Sequence, residues 1–306
     1  MSLAIDIRDL SKSYGHTQAL SHINLAVEQG EMFGLIGPDG AGKSTLYNIL
    51  ATLLRPDSGS ASVLGIDVVT GFRALRRRIG YMPEHFSLYP DLTVRENLKF
   101  FASLFGVSVS DSYPLIAPIF GQLERFPNRM AGKLSGGMKQ KLALSCALIH
   151  RPDILLLDEP TTGVDAVSRS EFWDMLATLR DKGITILVST SYMDEASRCH
   201  RIAMIDHGHI LATDTPSRLI AGIGETIYNA SANDMFRLLN LLRPYPGVAE
   251  CYTFGATLHL VAAPGFSPDA ALSYLAAASI TDARITPATP TIEDLFIKLT
   301  SNDSDL

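Results

Sequence analysis

Residues 37–45 read GPDGAGKST, so that Gly37, Pro38, Asp39, Gly40, Ala41, Gly42, Lys43 and Ser44 fit the spacing G-x-x-x-x-G-K-[ST], with Thr45 next to it. The apolar run FGLIG leads into this stretch, and helical periodicity follows it, with Leu46, Ile49 and Leu50 on one side. Glycines at these places let backbone N–H groups close around phosphate oxygens, and the helix N-terminus adds a favourable dipole. Lys43 then reaches the phosphate chain and the Ser44 hydroxyl holds Mg2+. A second apolar run, ILLLDEP, ends on Asp158 and Glu159. Two carboxylates at the end of a buried strand are costly unless a cation or ligand offsets them. Asp158 is the expected Mg2+ residue, acting through water, and Glu159 the group that polarises an attacking water.

Two further stretches carry chemistry. LSGGMKQKLALSCALIH places Ser135, Gly136 and Gly137 at the mouth of a helix whose inner stripe reads Met138, Leu142, Cys146 and Ile149. A capped helix start with two glycines is again an anion site of phosphate size. The first loop already surrounds its own phosphates, so a second such site suggests a nucleotide shared between two chains. ILVSTSYMDEA begins as a buried strand and breaks into polar residues, which sets Ser191 at the carboxyl end of a strand, where open parallel sheets bind ligands.

The elements that must position these groups alternate. Short strands are expected in LAIDIRDL, INLAVEQG and EMFGLIG, and a helix over Thr93–Phe105 burying Val94, Leu98, Phe101 and Phe105. Further buried strands fall at DILLLDEP and ITILVST, which together predict an α/β fold with a mainly parallel sheet covered on both sides. The texture changes near Gly222. Strands at 225–230, 248–254, 256–262 and 279–286, with helices at 232–242 and 267–277, give the order βαββαβ of a small α+β, ferredoxin-like domain. A last helix follows Pro290, with Thr291 as its cap. The domains are therefore expected at 1–221 and 222–306, with SNDSDL frayed at the end.

Bulk properties limit the partners. The chain has 306 residues, is 46% hydrophobic and carries a net charge of −6, so no basic field draws it to nucleic acid or anionic lipid. Its one dense basic run, Arg73 with Arg76, Arg77 and Arg78, reads as a solvated helix face. Cys146, Cys199 and Cys251 lie far apart, as suits a reducing compartment. No signal peptide is read at MSLAIDIRDL, and no apolar run is long enough to span a bilayer, so a soluble, cytoplasmic chain that meets a membrane only through a partner is expected. DHGHIL, with His207 and His209 about Gly208, reads as a hairpin rather than a metal site.

Over residues 3–220 these motifs resemble the ATP-binding subunit of an ABC transporter, which implies a P-loop NTPase of ABC type with a mixed sheet core and a helical subdomain near 86–150. KSYGHTQAL carries the aromatic of the family's A-loop at Tyr14, LSGGMKQ resembles the signature motif with Met138 in place of the commoner Gln, and TTGVD resembles the D-loop with Asp165. The resemblance implies that Tyr14 stacks on adenine and that the cofactors are ATP and Mg2+. It also implies a second cassette facing head to tail, each ATP lying between one P-loop and the other cassette's Ser135–Gly137 region. IGYMPEHFSLYPDLTVRENLKFFASLFGV and TPTIEDLFIKLT look most like ABC-2-type exporters of the drug-resistance kind. That implies ABC-2-type permease subunits as partners and a place on the inner face of the cell membrane. It also sets the groove after Glu84 against a coupling helix, and the loop HFSLYPDL offers Phe86, Leu88 and Tyr89 either as an apolar docking patch there or for packing within the domain.

Three positions depart from the family pattern: Asp39 for Asn, Glu84 for the Q-loop Gln, and Ser191 for the switch His. Glu84 still ligates Mg2+, but both carboxylates repel polyphosphate, so weaker ATP binding is expected. Ser191 cannot carry charge, and loss of one such transition-state contact costs about 2.7–4 kcal/mol. Slow hydrolysis is expected, with Glu159, Ser191 and Glu84 as the catalytic set and His85 as a substitute. The alternative is a hydrolysis-poor cassette that pairs with a different ATPase. DNA-acting and ribosome-acting relatives are disfavoured by the absence of a long coiled coil, a second cassette or a basic linker, and GTPase chemistry by the absence of N-K-x-D.

Overall fold

The computed structural model describes residues 2–85 and 87–301, and the chain divides into two compact units, Met1–Pro216 and Ser217–Leu306. The first unit opens with a long hairpin, β1 (Leu3–Tyr14) and β2 (Thr17–Glu28), and continues into β3 (Met32–Ile36) and α1 (Lys43–Leu50). Next come β4 (Ser58–Val63), β5 (Ile66–Asp67), the single turn α2 (Phe72–Leu75) and β6 (Ile79–Met82). Three helices follow, α3 (Val94–Phe105), α4 (Val109–Phe120) and α5 (Gly136–Leu148). Then β7 (Ile154–Leu157), α6 (Ala166–Asp181), β8 (Thr185–Thr190), β9 (Arg201–Asp206) and β10 (His209–Asp214) complete the first unit, and α7 (Pro216–Ala221) starts on its last residue, so the units part ahead of the expected boundary after residue 221.

Two sheets result. A six-stranded sheet has the order β10-β9-β3-β8-β7-β6, parallel except for the β9–β10 hairpin. A separate antiparallel sheet, β2-β1-β4-β5, packs its apolar residues with α1 and the parallel sheet into one core that includes Ile5, Leu20, Phe33, Leu46, Tyr47 and Leu156. The expected short strands of residues 1–28 are instead two 12-residue strands. Asp9 and His22 take positive φ near register shifts of this pair, and their side chains meet at 2.6 Å, so the bulged ribbon twists without ending.

The helix over α3 starts on Thr93, which forms a capping box with Glu96 and leaves a helix that ends at Gly106. Its buried face differs from expectation. Val94, Asn97, Leu98 and Ala102 are buried, whereas Phe101 and Phe105 are half-buried and line a groove. Asn97 earns its place by donating to the carbonyls of Tyr89, Leu92 and Thr93 and accepting from Tyr89 N–H, which fixes the loop ahead of the helix. α5 is likewise buried almost all round rather than along one stripe, with Lys141, Ala143, Leu144 and Ser145 inside as well as Leu142 and Cys146. The arginine run is more than a solvated face: Arg76 donates to Thr52 and Arg78 to Asp153.

The second unit contains β11 (Ile227–Ser231), α8 (Met235–Leu242), β12 (Val248–Phe254), β13 (Thr257–Ala262), α9 (Pro268–Ala277), β14 (Arg284–Ala288) and α10 (Ile292–Ser301). The sheet is antiparallel in the order β12-β13-β11-β14, and α8 and α9 share a core with it through Leu238, Leu242, Leu258, Leu260 and Leu275. β14 starts five residues later than expected because Ser279 closes α9 in the left-handed region, at φ 67°. Ser279 N–H bonds to Ala276 and Ile280 N–H to Leu275, which is the Schellman arrangement without its usual glycine. Thr291 caps α10 as expected, since its hydroxyl accepts Asp294 N–H while Asp294 accepts Thr291 N–H.

Candidate functional site

The loop of residues 37–45 joins β3 to α1 at the carboxyl edge of the parallel sheet. Only glycine fits at Gly37, where an added Cβ would lie 2.1 Å from the Ile205 carbonyl, and at Gly42, which caps α1 at φ 105°. No side chain caps α1, so its first N–H groups are left to an anion. Lys43 is 5% exposed. Its ammonium donates to the carbonyls of Gly37 and Pro38 at 2.7 and 2.8 Å and lies 3.0 Å from Glu159 Oε1. The loop is seated on the turn of the expected hairpin, between β9 and β10. His207 and Gly208 both take positive φ between β9 and β10, as a type I′ turn requires, and Gly208 N–H donates to the Ala41 carbonyl.

β7 and β8 deliver the acidic residues. Ser189, fully buried on β8, donates to Asp158 Oδ1 at 2.7 Å and accepts Glu159 N–H at 2.9 Å, so one hydroxyl locks both carboxyl residues in place. The polar run from Ser189 suggests that the strand leaves the core there, whereas Ser189 and Thr190 are both buried inside β8, where the carboxylates of Asp158 and Glu195 give their hydroxyls partners. Glu159 takes φ 48°, a conformation that strains a side-chain-bearing residue and persists because its surroundings hold it. Its Oε2 accepts the hydroxyl of Thr162 at 3.0 Å and the N–H and hydroxyl of Ser191 at 3.2 and 3.4 Å. Ser191 therefore braces Glu159 directly, a contact not expected from its place at the strand end.

A cleft of about 430 Å³ gathers Tyr14, Ala19, Asp39, Gly40, Gly42, Lys43, Ser44, Thr45, Glu84 and Glu159. Tyr14 stands at the tip of the β1–β2 hairpin, half its surface exposed. The Ser44 hydroxyl lies 3.5 Å from Glu84 Oε2. Burial pushes the Asp158 carboxyl above its ordinary range, against the pull of hydrogen bonds from Ser189 and Ser44, and the neighbouring Glu84 and Glu159 push it further. An all-oxygen set of Ser44, Glu84 and Asp158, with a carboxylate that burial makes uncomfortable, suits a hard divalent cation such as Mg2+. His85 does not line the cleft, and its ring is 91% exposed.

Ser135, Gly136 and Gly137 are absent from that lining. Ser135 caps α5 by accepting Met138 N–H, and it and Gly136 are exposed. Gly137 has a packing role that the motif alone does not reveal: a Cβ there would lie 2.8 Å from Ser168 Cβ at the start of α6. Asp165 caps α6 through Ser168 N–H, which holds its carboxyl below the ordinary range. His207 and His209 join no group of metal-ligand type among the described residues. Among the same residues, no helix is long and apolar enough to cross a membrane.

A family model described as ABC transporter matches residues 20–162. The chain is 43% identical over 220 residues to the probable multidrug ABC transporter ATP-binding protein YbhF of Escherichia coli K12, covering 71% of this chain but only 38% of that protein's length. It is 37% identical over 308 residues to the Nod factor export ATP-binding protein I of Bradyrhizobium diazoefficiens, covering 99% of this chain and 98% of that one. Among solved structures, the ATP-binding subunit of an ABC transporter matches 73% of this chain at 31% identity with a TM-score of 0.66. The dimeric, post-hydrolysis cassette MJ0796 with ADP and phosphate matches 69% at 28% identity with a TM-score of 0.63.

Proposed function

The chain belongs to the ATP-binding proteins of the ABC transporter family, and from that premise we propose that it binds and hydrolyses ATP to power an ABC-2-type exporter. The observation that carries this reading is the cleft that joins the 37–45 loop to Glu159 while Ser135–Gly137 stands apart from it at the exposed mouth of α5. A site split in this way is completed by a second cassette, with each ATP between the loop of one chain and the α5 mouth of the other. Tyr14 offers a flat ring to the adenine, and the α1 N-terminus and Lys43 take the phosphates. Ser44, Glu84 and Asp158 hold Mg2+, which, when bound, neutralises charge on the phosphates. Glu159 accepts a proton from the attacking water, and Ser191, the Thr162 hydroxyl and Ser189 fix its orientation.

We assign residues 1–221 to the cassette and 222–306 to a ferredoxin-like domain that reinforces the dimer; its strand order β14-β11-β13-β12 supports the ferredoxin-like assignment. The permease partner docks in an apolar groove of about 580 Å³ beside α3, among Leu53, Phe101, Leu104, Phe105 and Cys146. Leu88 forms part of that groove but is itself core, whereas Tyr89 is exposed and packs edge-on against Phe100. Phe86 lies outside the described residues. Docking there puts the chain at the inner face of the cell membrane, and names of relatives refer to multidrug and Nod factor export.

Ser191, Asp39 and Glu84 favour a second reading, a hydrolysis-poor cassette beside a different, active ATPase. ATP turnover measured across protein concentration, with Lys43→Ala and Glu159→Gln beside the wild type, separates the two. Turnover that rises steeply with concentration and vanishes in both variants supports the homodimeric motor. MgATP binding without turnover supports the silent half.

A further inference from the structure

We propose that Glu195 is a positioning residue that ties the segment carrying Ser191 to the 161–165 loop, so that the two move as one piece; the proposal rests on the ATPase reading above. Glu195 lies in the short 3-10 turn Met193–Arg198 after β8 and is 4% exposed. Its two carboxyl oxygens accept the Thr161 hydroxyl at 3.0 and 3.1 Å, and Oε2 also accepts the Thr190 hydroxyl at 2.6 Å. Thr190 Oγ1 in turn accepts Tyr192 N–H at 3.0 Å. Ser191, whose N–H and hydroxyl engage Glu159, sits between those two residues. Arg169 on α6 closes the cluster, with Nε 3.8 Å from Glu195 and its guanidinium 4.5 Å over the Tyr192 ring.

A buried carboxylate is costly unless it is paired and hydrogen-bonded. Here the hydroxyls that satisfy it come from the loop after Glu159, through Thr161, and from Thr190, the last residue of β8. Thr161 and Thr190 are themselves buried, so neither contact is loosened by water. At the far end of the first loop Asp165 is fixed to α6 through Ser168, and Arg169 anchors Glu195 to the same helix. A displacement of the 161–165 loop is therefore passed through Thr161, Glu195 and Thr190 to the Ser191 contact on Glu159. Glu195 acts through these neighbours and touches no reacting atom.

The test compares wild type with Glu195→Ala, Glu195→Gln and Thr161→Val for MgATP affinity, steady-state turnover and amide hydrogen exchange. Glu195→Ala is expected to lower kcat roughly tenfold or more while MgATP Kd and KM stay within about twofold. Glu195→Gln, which keeps an oxygen acceptor, is expected to recover to within about threefold of wild type. Exchange should quicken in both 161–165 and 189–198 in the Ala variant, with 37–45 unchanged. Thr161→Val, nearly isosteric, should give the same paired loosening even where the Ala variant folds poorly. Loosening confined to 189–198, or kcat and affinity falling together in every variant, overturns the proposal. A wild type without turnover removes the hydrolysis reading, and the exchange data alone then decide the role of Glu195.

Discussion

At the scale of single residues, the site is built from hydroxyls as much as from charges. Ser189 joins Asp158 to the Glu159 backbone, Thr162 and Ser191 hold the Glu159 carboxylate, and Thr161 and Thr190 hold Glu195. A serine at 191 suits this bracing role, but it supplies no positive charge to a developing negative one. Ser191→His is therefore expected to raise the turnover number roughly tenfold or more, read from steady-state phosphate release at saturating MgATP. Turnover unchanged by the imidazole would mean that charge at this place does not limit the reaction. The motif residues were legible because their spacing is set by the phosphate they surround. The hydroxyl braces were only partly legible: the polar run 189–191 shows in the sequence, but which carboxylate each hydroxyl meets depends on the neighbouring strand and the turn after it.

At the scale of elements, the α5 start is governed by two demands at once. Its capped mouth faces outward, while Gly137 admits Ser168 of α6 at a distance that no side chain permits. Gly137→Ala is expected to destabilise the chain by about 1–3 kcal/mol through overpacking. Adding Ser168→Gly should restore much of that loss in urea unfolding, and a double variant no better than the single would rule out this contact as the cause. The elements themselves were largely legible where periodicity was strong, as in α3, β7 and β8. α4 was not, because Pro114 and Pro118 lie inside it and proline reads as a breaker. It forms because tertiary packing of Ile116, Ile119 and Phe120 outweighs the lost backbone bonds. The face of α3 was misread for a related reason: Phe101 and Phe105 line a groove that periodicity alone treats as core.

At the scale of the whole molecule, each unit has a core of its own, and the second also buries a carboxylate that responds to acid. In the second unit Asp294 is 3% exposed and accepts from Tyr252 and Thr291 while its Oδ1 meets His259 Nδ1 at 2.5 Å, which ties α10 to β12 and β13. Burial pushes its carboxyl up, but the hydrogen bonds from His259, Thr291 and Tyr252 together hold it below the ordinary 3.8. The folded form thus binds this proton less readily than the unfolded one. Its contribution is present above the ordinary carboxylate value and is lost as pH falls through the lowered one. Acid melts should show the second unit weakening in that window, and Asp294→Asn should flatten the slope while costing about 1–3 kcal/mol at neutral pH. A slope that survives the substitution would assign the acid response to another group. The order of strands in the first unit has a different consequence, for synthesis. β3 leads directly into the 37–45 loop, yet it lies between β8 and β9, and the loop rests on Gly208 beyond them. On the ribosome, where chains grow by about 5–20 residues per second, the loop emerges on the order of ten seconds before its neighbours exist. During that interval the five apolar residues of β3 have neither neighbour to pair with, so the loop cannot take its folded form until most of the first unit has been made.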